Sequence, residues 1–257
     1  MLRVNQHTKL GVKFDEFYFV EDYTQCKSDA DVSTIIFSKN RHPDIPCKVK
    51  GNIFVDLRKP SKEIVSSFTS AYRREVKRSM RDDEFVIERK ETPNEAEMEE
   101  FCTYFNEFSK QKGIYTIGMQ NLLPMIKAGA FLLTKATCRK TGEIMCFVTY
   151  IWQGKRASAH FGCSHFRLQE SSVERQVVGR ANKYLHYQNM LYFKEKGCEI
   201  YDFGGYHQDE QGLPLTGIDD FKQRMGGEVF QEYAFYYPRS IKGKLALRLR
   251  QKNVEEL

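Results

Sequence analysis

The order of strands and helices predicted for the second half of the chain is the feature that most restricts its fold. Three apolar segments, 131–138, 144–152 and 157–166, are separated only by the short turns RKTGE and QGKR. Short turns that contain glycine are typical of antiparallel hairpins. The segment 172–197 follows, and its later part has a helical pattern before the next strand, 198–206. Because that strand is reached through a helix, it is predicted to lie parallel to a neighbour after a right-handed crossover.

Further segments complete a mixed α/β (α+β) architecture in which helices flank a mixed sheet. The segment 59–80 is predicted as a helix that Ser61 caps, with one apolar face at helical spacing. The segment 92–113 is predicted as a second helix, with Thr92 as its cap and Gly113 at its end. Shorter segments are predicted as strands at 16–21, 52–57, 84–91 and 228–238, and as helices at 119–129 and 217–227.

The composition narrows the class of protein. Of the 257 residues, 41% are hydrophobic and 13% aromatic, which is enough for a packed core. No apolar run reaches the roughly 18 residues that span a bilayer, and the N-terminus lacks the apolar segment of a secretory signal. The seven cysteines include no C-x-x-C pair, so neither structural zinc nor a disulfide framework is expected. We therefore expect a cytoplasmic protein that binds no metal.

Positive charge is concentrated in two segments. The net charge is +6, and residues 58–81 contain eight Lys and Arg but only Glu63 and Glu75 as acids. The tail 239–252 contains six Lys and Arg and no acid. Such clusters favour phosphate-bearing partners: nucleic acid, an anionic membrane face or a phosphorylated substrate. A solvated helix face is the alternative for either segment alone.

Two stretches of the sequence resemble a known family. The run ANKYLHYQNMLYFKEKGCEIYDFGGY, followed by GIDDFKQRMGGEV, resembles the C-terminal signature of the Fem family of peptidoglycan-bridge aminoacyl transferases. The upstream SAYRREVKRSMRDDEFVIE is similar to the basic helix and following strand of that family. The resemblance extends in outline over 70–238 and is sharp over 197–229. It implies the GNAT fold of acyltransferases, in agreement with the predicted order of elements.

Two departures from the Fem pattern bear on domain organisation and donor. Fem enzymes carry two GNAT-like lobes, whereas only about eighty residues precede the second lobe here. We expect residues 1–82 to form a partial N-terminal GNAT-like lobe with a basic linker helix. Residues 83–257 would form the GNAT-like acyltransferase domain with a basic C-terminal tail. The long helical arm that the family uses for transfer RNA is not visible, so the resemblance implies acyl transfer to an amine and leaves the donor open.

The glycine pair in YDFGGY is interpreted through this resemblance as part of the reaction centre. In the GNAT fold two parallel strands separate near their midpoint, and main-chain groups in the gap bind the acyl donor and stabilise an oxyanion. The resemblance places the gap between 157–164 and 199–206. Gly162, Gly204 and Gly205 would then let donor and acceptor approach the backbone. A tight turn after a strand is the alternative explanation of Gly204 and Gly205.

A second motif suggests the cofactor. Gln176, Gly179, Arg180 and Ala181 fit the Q/R-x-x-G-x-G/A pattern with which GNAT enzymes bind the pyrophosphate of coenzyme A. Main-chain N–H groups at a helix N-terminus favour an anion, and Arg180 would add a phosphate contact. Because the transfer-RNA arm is not visible, acyl-coenzyme A is expected as the donor, with aminoacyl-tRNA as the alternative. The stretch would also fit the interior of a helix, where Gly179 permits close packing.

Several residues are candidates for the chemistry. Lys222 matches a lysine of the Fem family, and its ammonium would stabilise negative charge. The attacking amine must lose a proton, for which His160, His207 and Asp202 are candidate bases. Tyr206, or alternatively Tyr201, is a candidate to return a proton to a thiolate leaving group if the donor is a thioester. The alternatives are a hydrogen-bonded core histidine at 160, an aspartate that pins the loop through main-chain N–H bonds, and a tyrosine that only packs.

Candidate substrate ligands come from the basic helix. Arg73, Arg74 and Lys77 lie on the face opposite its apolar stripe, and the tail 239–252 adds further cations. We expect these groups to hold the pyrophosphate of a cell-envelope precursor or to rest against the inner membrane leaflet. A nucleophilic pair of Cys163 with His160 or His165 is a separate alternative for the chemistry.

The sequence thus predicts an acyl or aminoacyl transferase that acts on an amine of a cell-envelope or surface-polysaccharide precursor. Two hypotheses from other classes rest on the same residues. One is a non-catalytic basic module that binds nucleic acid or an anionic membrane surface. The other is a degenerate lobe that only scaffolds a partner enzyme.

Overall fold

The computed structural model describes residues 1–82, 84–167, 171–209, 211 and 213–255. The strands are β1 (Leu2–Lys9), β2 (Val12–Val20), β3 (Val32–Ser38), β4 (Lys48–Asp56), β5 (Phe85–Lys90), β6 (Phe131–Cys138), β7 (Ile144–Gln153), β8 (Arg156–Ser164), β9 (Ile200–Gly205) and β10 (Glu228–Pro238). The helices are α1 (Ser61–Ser67), α2 (Ser70–Asp82), α3 (Glu95–Lys112), α4 (Leu123–Lys127), α5 (Ser172–Glu195), α6 (Gly217–Arg224) and α7 (Ile241–Glu255). Within these described residues, no helix has the length and apolar character needed to cross a bilayer.

The chain forms two compact units. Unit 1 comprises Met1–Asn52 and Phe230–Leu257, and unit 2 comprises Ile53–Val229. These limits fall within β4 and β10 and do not coincide with the boundary predicted after residue 82. The assignment of 83–257 to a separate acyltransferase domain stays a prediction.

Unit 1 is built on a small mixed sheet. β1 pairs antiparallel with β2, β2 lies parallel to β3, and β3 pairs antiparallel with the end of β10. Its core consists of the apolar side chains Phe17, Val20, Cys26, Ile35 and Phe235. The sequence analysis missed β1 and β3, whose polar residues obscure the alternation of a strand, and it described the basic α7 only as a tail.

Unit 2 contains the predicted meander and crossover. Its strands follow the order β4-β9-β8-β7-β6-β5, with only the end of β4 belonging to the unit. β5, β6, β7 and β8 pair antiparallel in sequence order, whereas β8 and β9 are parallel. The chain passes from β8 to β9 through α5. The prediction of an antiparallel meander with one parallel junction is therefore confirmed.

Alternate side chains of β7 pack against two different helices. Phe147 contacts Phe101 of α3, with ring centroids 5.6 Å apart. Tyr150 contacts Phe193 of α5, with ring centroids 5.0 Å apart. Because successive strand residues point to opposite faces of a sheet, α5 covers one face of the sheet of unit 2 and α3 covers the other.

Helix boundaries differ from the prediction at two places. The segment 59–80 forms two helices, α1 and α2, because Phe68 takes an extended conformation after α1, with φ −67° and ψ 149°. Ser61 is the first residue of α1 and not its cap. The side chain of Asn94 caps α3, in place of the predicted Thr92. These shifts leave the predicted order of elements unchanged.

Candidate functional site

β8 and β9 separate partway along their length. Their parallel pairing consists of three residue pairs, Arg156 with Ile200, Ala157 with Tyr201 and Ser158 with Asp202. β8 continues beyond these pairs to Ser164, and in that part it pairs with β7. The gap that the sequence analysis expected between β8 and β9 is therefore present.

A β-bulge in β8 lies where this gap opens. The register with β7 shifts between Ala159 and Gly162, so that His160 and Phe161 together oppose Thr149. The Thr149 hydroxyl oxygen accepts a hydrogen bond from the Phe161 main-chain N–H at 3.0 Å and holds the bulge. Ala159 and His160, although consecutive, both line one pocket.

The pocket at the gap has a volume of about 530 Å³. Residues of β7, β8, β9, α2, α3, α5 and α6 line it, all of them from unit 2. Those that matter for the chemistry are His160, Gly162, Gly179, His186, Phe203 and Lys222. A concave site that combines aromatic side chains with polar groups is typical of small-ligand binding.

Lys222 extends from α6 into this pocket. Its ammonium donates a hydrogen bond to the main-chain carbonyl oxygen of Gly205, which belongs to the part of β9 that has left β8. Burial lowers the pKa of Lys222, and the carboxylates of Asp219 and Asp202 oppose that shift. A partly desolvated cation is thus fixed beside the gap, where it can stabilise a developing negative charge.

His160 lines the same pocket in a neutral form. Burial lowers its pKa from 6.5 to about 4, so the imidazole is unprotonated at neutral pH. Its ring packs edge-on against Phe161, with centroids 4.1 Å apart. An unprotonated imidazole in this pocket can accept a proton from an incoming ammonium group.

A series of hydrogen bonds between α5 and the sheet leads to the pocket. Arg89 Nε donates to Asn189 Oδ1 at 3.0 Å, and a guanidinium can only donate. The amide nitrogen of Asn189 therefore points the other way. It donates to Thr134 Oγ1 at 3.0 Å and to Tyr150 Oη at 3.1 Å. The donor and acceptor in each hydrogen bond are therefore fixed at this end of the series.

At its other end this series of hydrogen bonds determines the tautomer of His186. Tyr150 Oη lies 2.6 Å from Tyr201 Oη, which lies 2.6 Å from His186 Nδ1. Burial raises the pKa of both tyrosines, so each hydroxyl keeps its proton at neutral pH. Both protons have an acceptor only if Tyr150 donates to Tyr201 and Tyr201 donates to His186. Burial and the nearby Lys222 lower the pKa of His186 to about 3, so its neutral ring carries a proton on Nε2.

A second concave surface, here called the basic groove, lies along α2 and α5 and has a volume of about 710 Å³. Arg73, Arg74 and Lys77, the predicted phosphate ligands, all line it. Within the described chain, Arg74 and Lys77 make no ion pair with an acidic side chain. Glu75, which lines the groove, pairs with Lys183, which lines the pocket, at 2.7 Å.

Comparisons with known proteins agree with this geometry. No family model and no curated protein sequence matches the chain. FemX superposes with a TM-score of 0.63 at 12% identity, covering 92% of this chain and 84% of FemX. L-PGS from Bacillus licheniformis gives 0.53 at 14% identity, covering 85% of this chain and 72% of that one. The C-terminal DUF2156 domain of a protein from Agrobacterium fabrum gives 0.51 at 13% identity, covering 84% and 71%.

The fold is that of FemX. The predicted Fem-like GNAT architecture, a mixed sheet flanked by helices, is therefore confirmed at the level of fold. Identities this low show a common fold and carry no residue roles with them. Each predicted site residue has to be judged by its own contacts in this Fem-like fold.

Asp202 does not line the pocket, although it was predicted as a base. Its carboxylate is fully buried, and Oδ2 accepts hydrogen bonds from Arg156 Nη2 at 2.5 Å and Ser158 Oγ at 2.9 Å. Oδ1 accepts the Gly204 main-chain N–H at 2.7 Å. These contacts are those of the alternative role, an aspartate that pins the glycine turn, and they give no support to a catalytic one.

Tyr206 and His207 are likewise not among the residues that line the pocket. Tyr206 is buried, with 4% of its surface exposed. The His207 side chain is 73% exposed, and its Nδ1 lies 3.9 Å from Asp219 Oδ1. Of the predicted catalytic residues, the structure brings together only His160 and Lys222.

Gly204 and Gly205 differ in their surroundings. Gly204 has φ +79°, and a Cβ there would lie 3.3 Å from the Ala159 carbonyl oxygen. Gly205 has no positive φ, and the nearest atom to an added Cβ is His207 Cε1 at 4.0 Å. The turn requires glycine at the first position, whereas the second glycine supplies the carbonyl that Lys222 contacts.

The predicted coenzyme A motif lies inside a helix. α5 begins at Ser172, and a capping box at its start joins Ser171 and Glu174 through reciprocal hydrogen bonds of 3.1 Å. The motif residues follow on later helical turns, whose N–H groups bond within the helix. They are Gln176, Gly179, Arg180 and Ala181. The main-chain phosphate cradle is therefore absent from this described stretch, and the alternative of a helix interior is confirmed.

The side chains of the motif have separate surroundings. Arg180 pairs with Glu84, with Nη2 3.0 Å from Oε1, and Ala181 is fully buried in the core. Gln176 and Arg180 line the basic groove, whereas Gly179 lines the pocket. The four residues do not form one site.

The Cys163 alternative loses support as well. Burial raises the pKa of its thiol well above the usual value, so the thiolate nucleophile is disfavoured. His165 stacks on Tyr104, with ring centroids 3.6 Å apart. His165 is therefore engaged with Tyr104, and a thiol held neutral by burial is not an activated nucleophile for His160 either.

The sequence analysis missed the residues behind the pocket. His186 and Asn189 are three positions apart on the buried face of α5, among Leu185 and Met190. Polar residues within an apolar helical stripe are a recognisable signal, because each buried polar group needs a partner. Their partners, the tyrosines of β7 and β9, could not be identified from the sequence because register between strands decides the contact.

Proposed function

We propose that the chain is an aminoacyl or acyl transferase that moves its acyl group onto an amine of a cell-envelope precursor. The observation that carries this proposal is the gap between β8 and β9, which opens beside Lys222 and His160 in the fold of FemX. FemX and L-PGS supply the link to envelope chemistry at the level of fold alone.

The proposed reaction forms an amide. The acceptor nitrogen attacks the donor carbonyl carbon, a C–N bond forms, and the bond from that carbon to the leaving oxygen or sulfur breaks. The ammonium proton of the acceptor passes to a base, and the leaving group takes up a proton. The carbonyl oxygen bears negative charge in the tetrahedral intermediate, so the site must supply donors or cations for it.

Lys222 and His186 are assigned to that oxygen. The Lys222 ammonium is already next to the gap, and His186 lines the same pocket with its only polar hydrogen on Nε2. A neutral imidazole whose pKa is strongly lowered is a hydrogen-bond donor that does not lose or gain a proton near neutral pH. The series of hydrogen bonds from Arg89 serves to hold His186 in that tautomer.

His160 is assigned as the proton acceptor. It is unprotonated at neutral pH, and the bulge directs it into the pocket. A base of such low pKa takes a proton efficiently only during attack, when the nitrogen has become more acidic.

The basic groove is assigned to phosphate. Arg74 and Lys77 are exposed and lack an acidic partner in the described residues, so their charges are available to an incoming anion. Arg73 lines the same surface. A phosphorylated acceptor or a donor RNA would place its phosphates there.

An aminoacyl ester of RNA is favoured over acyl-coenzyme A as the donor. The Ser171–Glu174 capping box occupies the Glu174 N–H in the first turn of α5 and places a carboxylate at the helix start, where a pyrophosphate would bind. A negative charge at that position disfavours a second anion. This reverses the preference that the sequence suggested.

The test is a donor comparison with purified full-length protein. Radiolabelled aminoacyl-tRNA and radiolabelled acetyl-coenzyme A are each incubated with the protein and an amine-bearing peptidoglycan precursor, and amide product is separated and counted. We expect product only from aminoacyl-tRNA, with a rate about 10²–10³-fold lower for Lys222→Ala and an unchanged rate for the neighbouring Arg224→Ala. Product only from acetyl-coenzyme A would reverse the choice of donor, and binding of tRNA with no product from either would favour the basic binding module.

A further inference from the structure

The last described helix is docked on unit 1 by its first turn. The Ser240 hydroxyl donates to Asp31 Oδ1 at 2.6 Å and accepts the Gly243 main-chain N–H at 3.0 Å. A Cβ at position 243 would lie 2.0 Å from the Asp31 carbonyl oxygen. Only glycine at this position therefore lets α7 approach the start of β3 this closely. The position of this helix within unit 1 is therefore fixed.

The opposite side of α7 carries an exposed aliphatic row. Ile241, Leu245 and Leu249 are 87%, 58% and 59% exposed. They are four positions apart, so they form one row along the helix. Gly243 and Leu247 lie on the other side, where Gly243 is buried and Leu247 is half-buried. The exposed row is thus additional to the face that docks α7.

Cations flank this row on both sides. With about 100° of rotation per residue, Lys242 falls on one side of the row and Lys244 and Arg248 fall on the other. The Lys242 ammonium donates to the Gly11 carbonyl oxygen in the turn between β1 and β2. That turn presents Leu10, which is 95% exposed. We call the three aliphatic residues, Leu10 and the three cations the α7 face.

We propose that the α7 face rests on the surface of an anionic lipid bilayer. A helix that lies in the membrane interface buries an aliphatic row at the level of the acyl chains and places flanking Lys and Arg among anionic headgroups. The α7 face has this arrangement, with the row and the cations on one rigid element. The proposal does not rest on the proposed chemistry, because it involves unit 1 only.

Two other occupants fit the same face less well. A second copy of the chain would bring Lys244 and Arg248 against their own equivalents, and like charges across an interface are unfavourable. Nucleic acid would neutralise the cations but would leave Ile241, Leu245 and Leu249 in water, since it binds exposed side chains through phosphates and aromatic stacking.

Vesicle sedimentation with the full-length protein tests the proposal. Vesicles of phosphatidylcholine alone are compared with vesicles of equal parts phosphatidylglycerol and phosphatidylcholine. We expect binding to the anionic vesicles only, and a loss of at least about tenfold in affinity for Leu245→Glu, which places a charge in the row. The matched control is Val173→Glu in unit 2, a residue that is 67% exposed, which should bind as the parent protein does.

Three outcomes would overturn the proposal. One is the absence of binding to anionic vesicles at low salt, and another is equal binding by the parent protein and Leu245→Glu. The third is a concentration-dependent dimer, seen by analytical ultracentrifugation without vesicle binding and abolished by Leu245→Glu. That result would assign the α7 face to a contact between copies of this chain.

Discussion

The two halves of the β8–β9 junction use their polar groups in opposite ways. In the paired half, Asp202 is fully buried and its oxygens accept from Arg156, Ser158 and the Gly204 N–H. In the separated half, His160 and Lys222 line a pocket of about 530 Å³. One half is saturated internally and the other is open.

This difference between the two halves predicts that substitutions in one half affect mainly stability and that substitutions in the other affect mainly catalysis. Changes in the paired half should lower the free energy of unfolding, because they disturb buried charges with no water to replace a lost partner. Changes in the open half should alter catalysis with little effect on folding, because a pocket tolerates the loss of a side chain. Four substitutions or conditions test this separation.

The largest expected effect is on stability, from Asp202→Ala. This change removes the carboxylate that faces the buried Arg156 guanidinium, and losing one partner of a buried pair costs about 3–5 kcal/mol. Denaturant unfolding followed by circular dichroism measures it. The control is Asp220→Ala, whose exposed pair with Arg224 should contribute less than about 1 kcal/mol. Equal losses in both variants would remove the distinction between the halves.

The next effect is on rate, from Lys222→Ala. Losing one group that stabilises an oxyanion lowers kcat by about 10²–10³-fold, and the free energy of unfolding should change by less than about 1 kcal/mol. Single-turnover transfer assays and denaturant unfolding measure the two quantities on the same preparation. A variant that keeps its rate would remove Lys222 from the chemistry, whatever its stability.

Gly204 lies at the border between the halves. Gly204→Ala must place a side chain at φ +79° and 3.3 Å from the Ala159 carbonyl oxygen, which should cost about 1–2 kcal/mol of stability. Gly205→Ala is the matched control, since its added methyl group finds no atom closer than 4.0 Å. Thermal unfolding of the pair measures the difference, and a tolerant Gly204 would mean that the turn can relax.

The smallest expected effect is the dependence of stability on pH. The folded state holds His160 and His186 neutral, with pKa values of about 4 and about 3, against 6.5 for an unperturbed histidine. As the pH falls below 6.5, the unfolded chain binds protons that the folded chain rejects, so stability decreases. Between pH 6.5 and 5.5 each histidine should contribute a loss of about 1 kcal/mol. Thermal unfolding of the parent protein and of His160→Gln measures it, and identical slopes would exclude His160.

The order of elements could be predicted from the sequence, since the meander and the crossover depend on local periodicity and short turns. Lys222 and His160 were also predicted, one through a family motif and the other through its place on a strand. The gap between β8 and β9 was expected from the same resemblance.

Some of the predicted site residues lie outside the pocket, because contacts between distant segments determine where their side chains point. The sequence alone allowed Asp202 to be a base, but its carboxylate accepts a hydrogen bond from Arg156, which lies forty-six positions earlier. The spacing of residues 176–181 fits both a phosphate-binding loop and the interior of a helix. The start of α5 at Ser172 decides for the helix interior. His186 was missed because its role comes from Tyr201 on another element.

The bulge at His160 and Phe161 has a consequence for how such chains can change in length. Deleting His160 or Phe161 would remove the bulge, because only one residue would then oppose Thr149. Strand residues would alternate regularly between faces, and two consecutive residues could no longer both line the pocket. The turns on either side of β7 carry no such restriction. Relatives that keep this cavity should therefore gain and lose residues in those turns while the spacing from Ala159 to Gly162 stays constant.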